Sequence, residues 1–321
     1  MQDRENMKRM QEVTEEDKKT KFRKYKKIIY LVAVVVISVI AAAFGFSDEL
    51  PVFFSEIFPV YEQTDSAFEV HYIDVGQGDS SLIICDGQSM LIDAGENGHE
   101  IDVLNYLRTH GIEKLDYIIA SHQHSDHIGG LSEVLDEIGT DNIIMPRLTK
   151  EQTPTNSTYT AFLKSVQNSG AKVIASKVGA TYTLGSASFE ILGPVTDDAE
   201  DINNMSVVVK MTYGENIFLF TGDAEKEEER EIIATGADLD CDVLKVGHHG
   251  SGTSSGVDFL DAVSPEICVI QVGADNDYGH PHENIVERLE SYADEIYRTD
   301  LCGDIVITCD GNDLNVSYEN Q

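Results

Sequence analysis

The chain has 321 residues and a formal net charge of −34, from 23 Lys and Arg against 57 Asp and Glu. The length allows one large domain or two small ones, and 41% hydrophobic residues supply a core that a disordered polyelectrolyte would lack. No basic stripe of the kind that tracks a nucleic-acid backbone is present. None of the five cysteines has the Cys-x-x-Cys spacing of a thiolate zinc site.

The charge is uneven along the chain. Residues 1–27 hold ten basic and six acidic residues; the remainder holds 13 basic and 51 acidic ones, so a basic head precedes a strongly acidic body. Between them, Ile28 to Phe46 is a run of 19 residues without a charge. A helix of about 20 apolar residues spans the hydrocarbon of a bilayer. The flank Lys21-Phe22-Arg23-Lys24-Tyr25-Lys26-Lys27 favours a cytoplasmic N-terminus. The expectation is a basic cytoplasmic tail (1–27), an uncleaved single-pass signal-anchor helix (28–46), a stalk with Pro51 and Pro59 (47–66) and an extracytoplasmic domain (67–321). The alternative is a cleaved secretory signal, since Ala41-Ala42-Ala43 offers small residues. One span does not build a channel.

Phe68 to Val75 alternates like a strand, Gly76 to Asp79 is a tight turn, and Ser81 to Cys85 returns as the hairpin partner. Met90 to Asp93 reads as a third strand. Helices are expected over 100–110, 130–138 and 157–169, with a long amphipathic one over 285–296. Strands alternating with helices suit α/β layering. The acidic cluster Glu225 to Glu231 reads as a solvated helix face. Cys85, Cys241 and Cys268 lie in apolar strands and read as core residues. Cys302 and Cys309 flank a hairpin segment; a location outside the cytoplasm permits a disulfide between them, and free thiols are the alternative. His71, His99 and His110 read as ordinary surface or strand histidines.

Three stretches carry metal-ligating side chains off the ends of apolar strands. The first is Ser121-His122-Gln123-His124-Ser125-Asp126-His127, after Leu115 to Ala120. The second is Thr221-Gly222-Asp223, after Ile217 to Phe220. The third is Gly247-His248-His249-Gly250, after Val243 to Val246. Imidazole with carboxylate suits zinc, and also manganese or iron. A loop of histidines alone would be moderate evidence; three such sets at three strand ends point to a hydrolytic centre. Asp223 is placed to bridge two cations. Asp74, Asp79 and Asp93, at strand ends, read either as carboxylates that orient the histidines or as turn caps.

From about Phe68 to Tyr318 the sequence resembles a metallo-β-lactamase-fold hydrolase, and within that superfamily the hydrolase domain of ComEC-type DNA-uptake (competence) proteins. Carrying the resemblance are Asp74-Val75-Gly76-Gln77-Gly78-Asp79-Ser80, Leu91-Ile92-Asp93-Ala94-Gly95, the run at His122, Asn203-Asn204-Met205-Ser206, Thr221-Gly222-Asp223, Leu244 to Ser251, Tyr278-Gly279-His280-Pro281-His282 and Arg298-Thr299-Asp300. It implies a four-layer αββα sandwich with one or two divalent ions at one edge, zinc foremost and manganese as an alternative. It assigns a first site to His122, His124 and Asp223. A second falls to Asp126, His127, Asp223 and one of His248 and His249, the other facing substrate. Many relatives place a further His between the His122 run and the bridging Asp. This chain has none there, and Asn204 and Ser206 stand near that position as contacts to the first ion or to substrate. The first site is therefore expected to be the weaker.

A bound divalent ion lowers the pKa of its water to about 7, which makes the expected reaction metal-assisted hydrolysis. Asp126 is assigned to ligate and to orient the nucleophile. His280 is assigned to protonate a leaving group or bind an oxyanion. The resemblance favours a phosphodiester substrate, DNA included, whereas the acidic body repels polyanions at long range. A hydrolase of esters, lactones or β-lactams is the second reading, and an envelope-anchored module without catalysis the third. No protein partner follows from the sequence.

Overall fold

Alternation along Phe68–Tyr72 sends Phe68, Val70 and Tyr72 to one side of a strand and Glu69 and His71 to the other; all five are buried. A strand covered on both faces belongs to the inside of a layered fold. The structure, a computed structural model, describes residues 66–320. The expected tail and anchor helix, and nearly all of the stalk, lie outside the described residues. Among the described residues no helix is long and apolar enough to cross a membrane.

Eight strands form one sheet: β1 (Phe68–Tyr72), β2 (Ser81–Cys85), β3 (Gln88–Ile92), β4 (Leu115–Ile119), β5 (Thr140–Met145), β6 (Lys172–Ala175), β14 (Ile305–Cys309) and β15 (Leu314–Tyr318). Their order is β15-β14-β1-β2-β3-β4-β5-β6. The second sheet comprises β7 (Thr181–Leu184), β8 (Ala187–Gly193), β9 (Val208–Tyr213), β10 (Asn216–Phe220), β11 (Val243–Lys245), β12 (Ile267–Ile270) and β13 (Glu295–Arg298), ordered β13-β12-β11-β10-β9-β8-β7. Between the sheets, Phe68, Val70 and Tyr72 pack with Phe189, Phe218 and Phe220. Each such side chain contributes roughly 1.5–3 kcal/mol by leaving water.

Helices cover the outer faces. Helices α1 (Glu100–Thr109), α2 (Ser125–Ile128), α3 (Leu131–Glu137) and α4 (Ser157–Ser169) place Leu107, Ile128, Val134 and Phe162 in a core on the first sheet. Helices α5 (Lys226–Ala234), α6 (Val257–Val263) and α7 (Glu283–Leu289) place Ile232, Leu260 and Leu289 on the second. A last short turn, α8 (Thr299–Cys302), leads into β14. Helix, sheet, sheet, helix is the expected layering.

Two expectations need correction. The helix expected over 285–296 ends at Leu289; Ile285 and Leu289 are buried, and Glu295–Arg298 forms β13, in parallel register with β12 through Cys268 and Ile296. Pairing to a neighbouring strand outweighed a helical pattern too short to hold the whole segment. The acidic helix face is not wholly solvated: Glu228 and Glu229 are buried. Glu228 accepts from the Val195 N–H, and Glu229 from the Ser255 and Gly256 N–H groups, so loop backbone takes the place of water. The five cysteines are free thiols. Cys309 is buried, and its Sγ lies 3.0 Å from Asn216 Oδ1.

Candidate metal centre

Parallel pairing sets the site. Strand β3 runs parallel to β4, and β10, β11 and β12 run parallel to one another, so the loops at their carboxyl ends gather at one edge. Asp93 follows β3, His122 follows β4, Asp223 follows β10, His249 follows β11 and Gln271 follows β12. Two glycines permit the close approach. A Cβ on Gly78 would lie 2.3 Å from the Asp126 carbonyl oxygen; one on Gly222, at φ +52°, would meet Ser121 and Ser206 at 3.0 Å.

Asp126, His127, Asp223 and His249 each present a ligand atom within 4.8 Å of the others. His127 Nε2 is 3.2 Å and His249 Nε2 3.6 Å from Asp223 Oδ1. Asp126 Oδ2 lies 3.3 Å from His249 Nε2 and 3.8 Å from His127 Nε2. His127 Nε2, His249 Nε2 and Asp223 Oδ1 are buried without a hydrogen-bond partner. Leaving such atoms unsatisfied costs about 1–3 kcal/mol each. A divalent cation among them would satisfy all three, and two imidazoles with two carboxylates are donors that zinc, manganese and iron accept. The residues present therefore fit the ion that the sequence implies.

The nitrogens turned away from this point are tied down. His127 Nδ1 meets Asp93 Oδ2 at 2.9 Å, and Ser121 donates to the same carboxylate from its backbone N–H and its hydroxyl. His249 Nδ1 meets the Gln271 carbonyl at 2.9 Å. With Nδ1 protonated in both rings, both Nε2 atoms offer lone pairs to the centre. Asp79 sits behind them in an ion pair with the buried Lys245 and 3.2 Å from His249 Nδ1. Asp74 is exposed and accepts from the Gly76 N–H, which makes it a turn cap.

The carboxylates and imidazoles of this cluster shift one another's pKa values. Burial alone would lower the pKa values of His127 and His249. The carboxylates of Asp223, Asp126 and Asp79 outweigh it and raise both, His249 to about 10. Burial alone would raise Asp223, but His127 and His249 hold it well below the carboxylate range.

His122 Nε2 is 3.0 Å from His124 Nδ1 and 3.8 Å from Asp223 Oδ2. Asp223 therefore turns Oδ1 toward His127 and His249 and Oδ2 toward His122, the disposition a bridging carboxylate needs. Burial lowers the His122 pKa well below the usual value, which favours the neutral ring a metal requires. The next ring is that of His127, its centroid 4.2 Å from that of His122, and it belongs to the other ligand group.

The two neighbouring histidines separate. His249 joins the cluster; His248 does not. His248 lies at the cavity, its Nδ1 3.2 Å from Thr253 Oγ1 and 3.3 Å from Glu225 Oε1, its Nε2 3.7 Å from Asp223 Oδ2. Both have positive φ, 51° and 53°, so a left-handed turn splits the pair, where alternation along extended chain was expected to. Asn204 and Ser206 do not line the cavity. Asn204 Oδ1 accepts from the Glu225 N–H, and Ser206 Oγ accepts from the Asp223 N–H while lying 3.4 Å from His122 Nδ1. They brace the backbone. Asn203 lines the cavity instead, with a buried Oδ1 that has no partner. The turn Ile202–Met205 is a 3₁₀ helix, whose successive side chains diverge by about 120°. His280 lines the same cavity, its ring 5.5 Å from that of His248. Burial and then His249 bring its pKa down to about 4, so its ring is neutral at pH 7. His282 accepts from the Gly252 N–H.

With this fold and this edge cluster, the chain belongs to the metallo-beta-lactamase superfamily, whose profile matches residues 73–273. It is similar to ComE operon protein 3 of Bacillus subtilis (strain 168), 30% identical over an alignment of 264 positions that covers 77% of this chain and 34% of that protein. It is also similar to Recombination protein 2 of Haemophilus influenzae, 31% identical over 243 residues, 74% of this chain and 28% of that one. The chain thus spans about a third of the length of these curated relatives. Among solved structures, CmlA, a diiron β-hydroxylase from Streptomyces venezuelae, has the same fold: TM-score 0.52, 15% identity, 77% of this chain and 55% of that one. The superfamily implies one or two divalent ions.

Proposed function

We propose that the domain is a metal-dependent hydrolase of phosphodiesters, held outside the cytoplasm by the apolar run Ile28 to Phe46. The observation that carries the hydrolase reading is the convergence of three unpartnered buried atoms, on His127, His249 and Asp223, beside the partly exposed Asp126. In this reading Asp126, His127, His249 and Asp223 hold one ion, and His122, His124 and Asp223 hold a second more weakly. When bound, the ions polarise the scissile group and acidify water. Asp93 and the Gln271 carbonyl keep the ring tautomers in place. Asp126 opens onto the cavity and orients the attacking water. That attack on phosphorus breaks one P–O ester bond, and the proton lost by the water returns through solvent to the leaving oxygen, beside the neutral ring of His280.

The relatives' names, ComE operon protein 3 and Recombination protein 2, are in keeping with a phosphodiester. The basic flank before the apolar run supports the orientation. Purified full chain, loaded with zinc or manganese, should release p-nitrophenol from bis-p-nitrophenyl phosphate and stop when chelated. Turnover of nitrocefin instead would move the substrate class to β-lactams. Neither metal nor turnover of either compound or of single-stranded DNA would leave a binding module.

A further inference from the structure

The cavity at the metal centre has an arm. Gln77, Ser125, Asp126 and Tyr278 line both the cavity over the histidines and an adjoining depression of about 340 Å³. That volume lies in the range of small-molecule sites, about 300–1,000 Å³. A molecule with its reacting bond at the histidines must extend past Tyr278 to fill the arm.

Tyr278 is the exposed aromatic on this rim, 66% accessible, where a Tyr normally hides its ring. Its position is fixed from both sides. The ring stacks on His280, centroids 5.7 Å apart and planes 22° apart. The loop beneath is closed by the Asn276 side chain. Its Nδ2 donates to the Gly273 and His280 carbonyls at 2.8 and 2.7 Å, and its Oδ1 accepts from the Tyr278 and His280 N–H groups at 3.2 and 3.0 Å. A rigid loop that presents a flat aromatic face to solvent offers a stacking platform.

The charges of the arm restrict what can lie there. Glu96, Asp275 and Asp277 line it with Asp126, and among the described residues neither Lys nor Arg lines the arm or the cavity. A second phosphate in the arm would meet four carboxylates and no cationic side chain among the described residues. Sugar hydroxyls and base amino groups would instead find acceptors there. We propose that the arm receives a nucleoside stacked on Tyr278, so that the substrate is a small nucleoside phosphodiester with a single charged ester and not a continuous strand. This rests on the phosphodiesterase reading above and narrows its substrate.

The test compares thymidine 5′-(p-nitrophenyl phosphate) with methyl p-nitrophenyl phosphate, which share a leaving group and differ in what would fill the arm. The metal-loaded full chain should prefer the thymidine ester by kcat/KM. Tyr278→Ala should erase roughly ten-fold of that preference through KM, and Tyr278→Phe should keep it, because stacking needs the ring and not the hydroxyl. Calorimetric binding of thymidine 5′-monophosphate supplies a reading without turnover: its Kd should rise about ten-fold in Tyr278→Ala. Asp275→Asn with Asp277→Asn should tighten binding of single-stranded oligothymidylate. An unmutated chain that binds oligothymidylate more tightly than the monophosphate would overturn the proposal. A Tyr278→Ala chain with unchanged Kd and unchanged preference would do the same. A chain that binds the monophosphate through Tyr278 yet cleaves neither ester would uphold the arm and overturn the phosphodiesterase.

Discussion

His248 and His249 are adjacent, yet different partners hold them. The Gln271 carbonyl fixes Nδ1 of His249 and leaves its Nε2 unpartnered inside the cluster, whereas His248 faces Thr253 and Glu225. His249→Ala should therefore lose most bound metal, and His248→Ala should keep it, as read by elemental analysis after gel filtration. Asp93 is assigned to neither ion, but its carboxylate holds His127. Asp93→Asn should weaken the tighter ion by about 10–100-fold in chelator competition; an unchanged affinity would mean that His127 is oriented by something else. Asp223→Ala should weaken both ions together, since its two oxygens face the two histidine groups. Most of this residue pattern was legible because ligand types recur at the ends of apolar runs. Which of two neighbouring histidines points inward was not legible, because a left-handed turn carries no signature in His-His. Asn203 escaped for a similar reason: within Asn203-Asn204, only the 3₁₀ geometry decides which amide faces the cavity.

Helix α5 shows what alternation and periodicity miss. Its acidic run looks solvated, yet Glu228 and Glu229 reach inward to the backbone of the loops at Val195 and at Ser255–Gly256. Burial raises Glu228 from an ordinary value of 4.5 to about 8 and Glu229 to about 7. A carboxyl raised in the folded state holds its proton there and releases it on unfolding. Its contribution to stability is complete below the ordinary carboxylate pKa and is lost as pH rises through about 8 for Glu228. Glu228→Gln keeps an acceptor for the Val195 N–H and removes the titration. Thermal melts should match the unmutated chain near about pH 5 and lie several degrees above it near about pH 9. Equal melting temperatures at the higher pH would show that Glu228 stays ionised without cost. Among the other elements, the β1–β2 hairpin was legible from alternation, and α4 has the bounds expected for it. The strand β13 was not, because its sequence fits a helix until β12 is there to pair with.

For the whole molecule, the layered fold followed from strands alternating with helices, and the superfamily from motifs spread over most of the chain. The substrate did not follow, because it depends on cavity walls assembled from loops far apart in sequence, such as Gln77 and Tyr278. The charge division between a basic head and an acidic body also belongs to this scale. A reporter fused after Gln321 should be active only in its extracytoplasmic form; activity of a cytoplasm-only reporter would overturn the orientation drawn from the basic flank. The most direct measurement is metal content set beside hydrolysis of bis-p-nitrophenyl phosphate, in the unmutated full chain and in Asp126→Ala. One or two ions of zinc, manganese or iron per unmutated chain, with both metal and turnover lost in Asp126→Ala, is the expected result. A chain that takes up no transition metal after reconstitution, or one whose turnover survives chelation and the loss of Asp126, would contradict a hydrolytic centre at this edge of the sandwich.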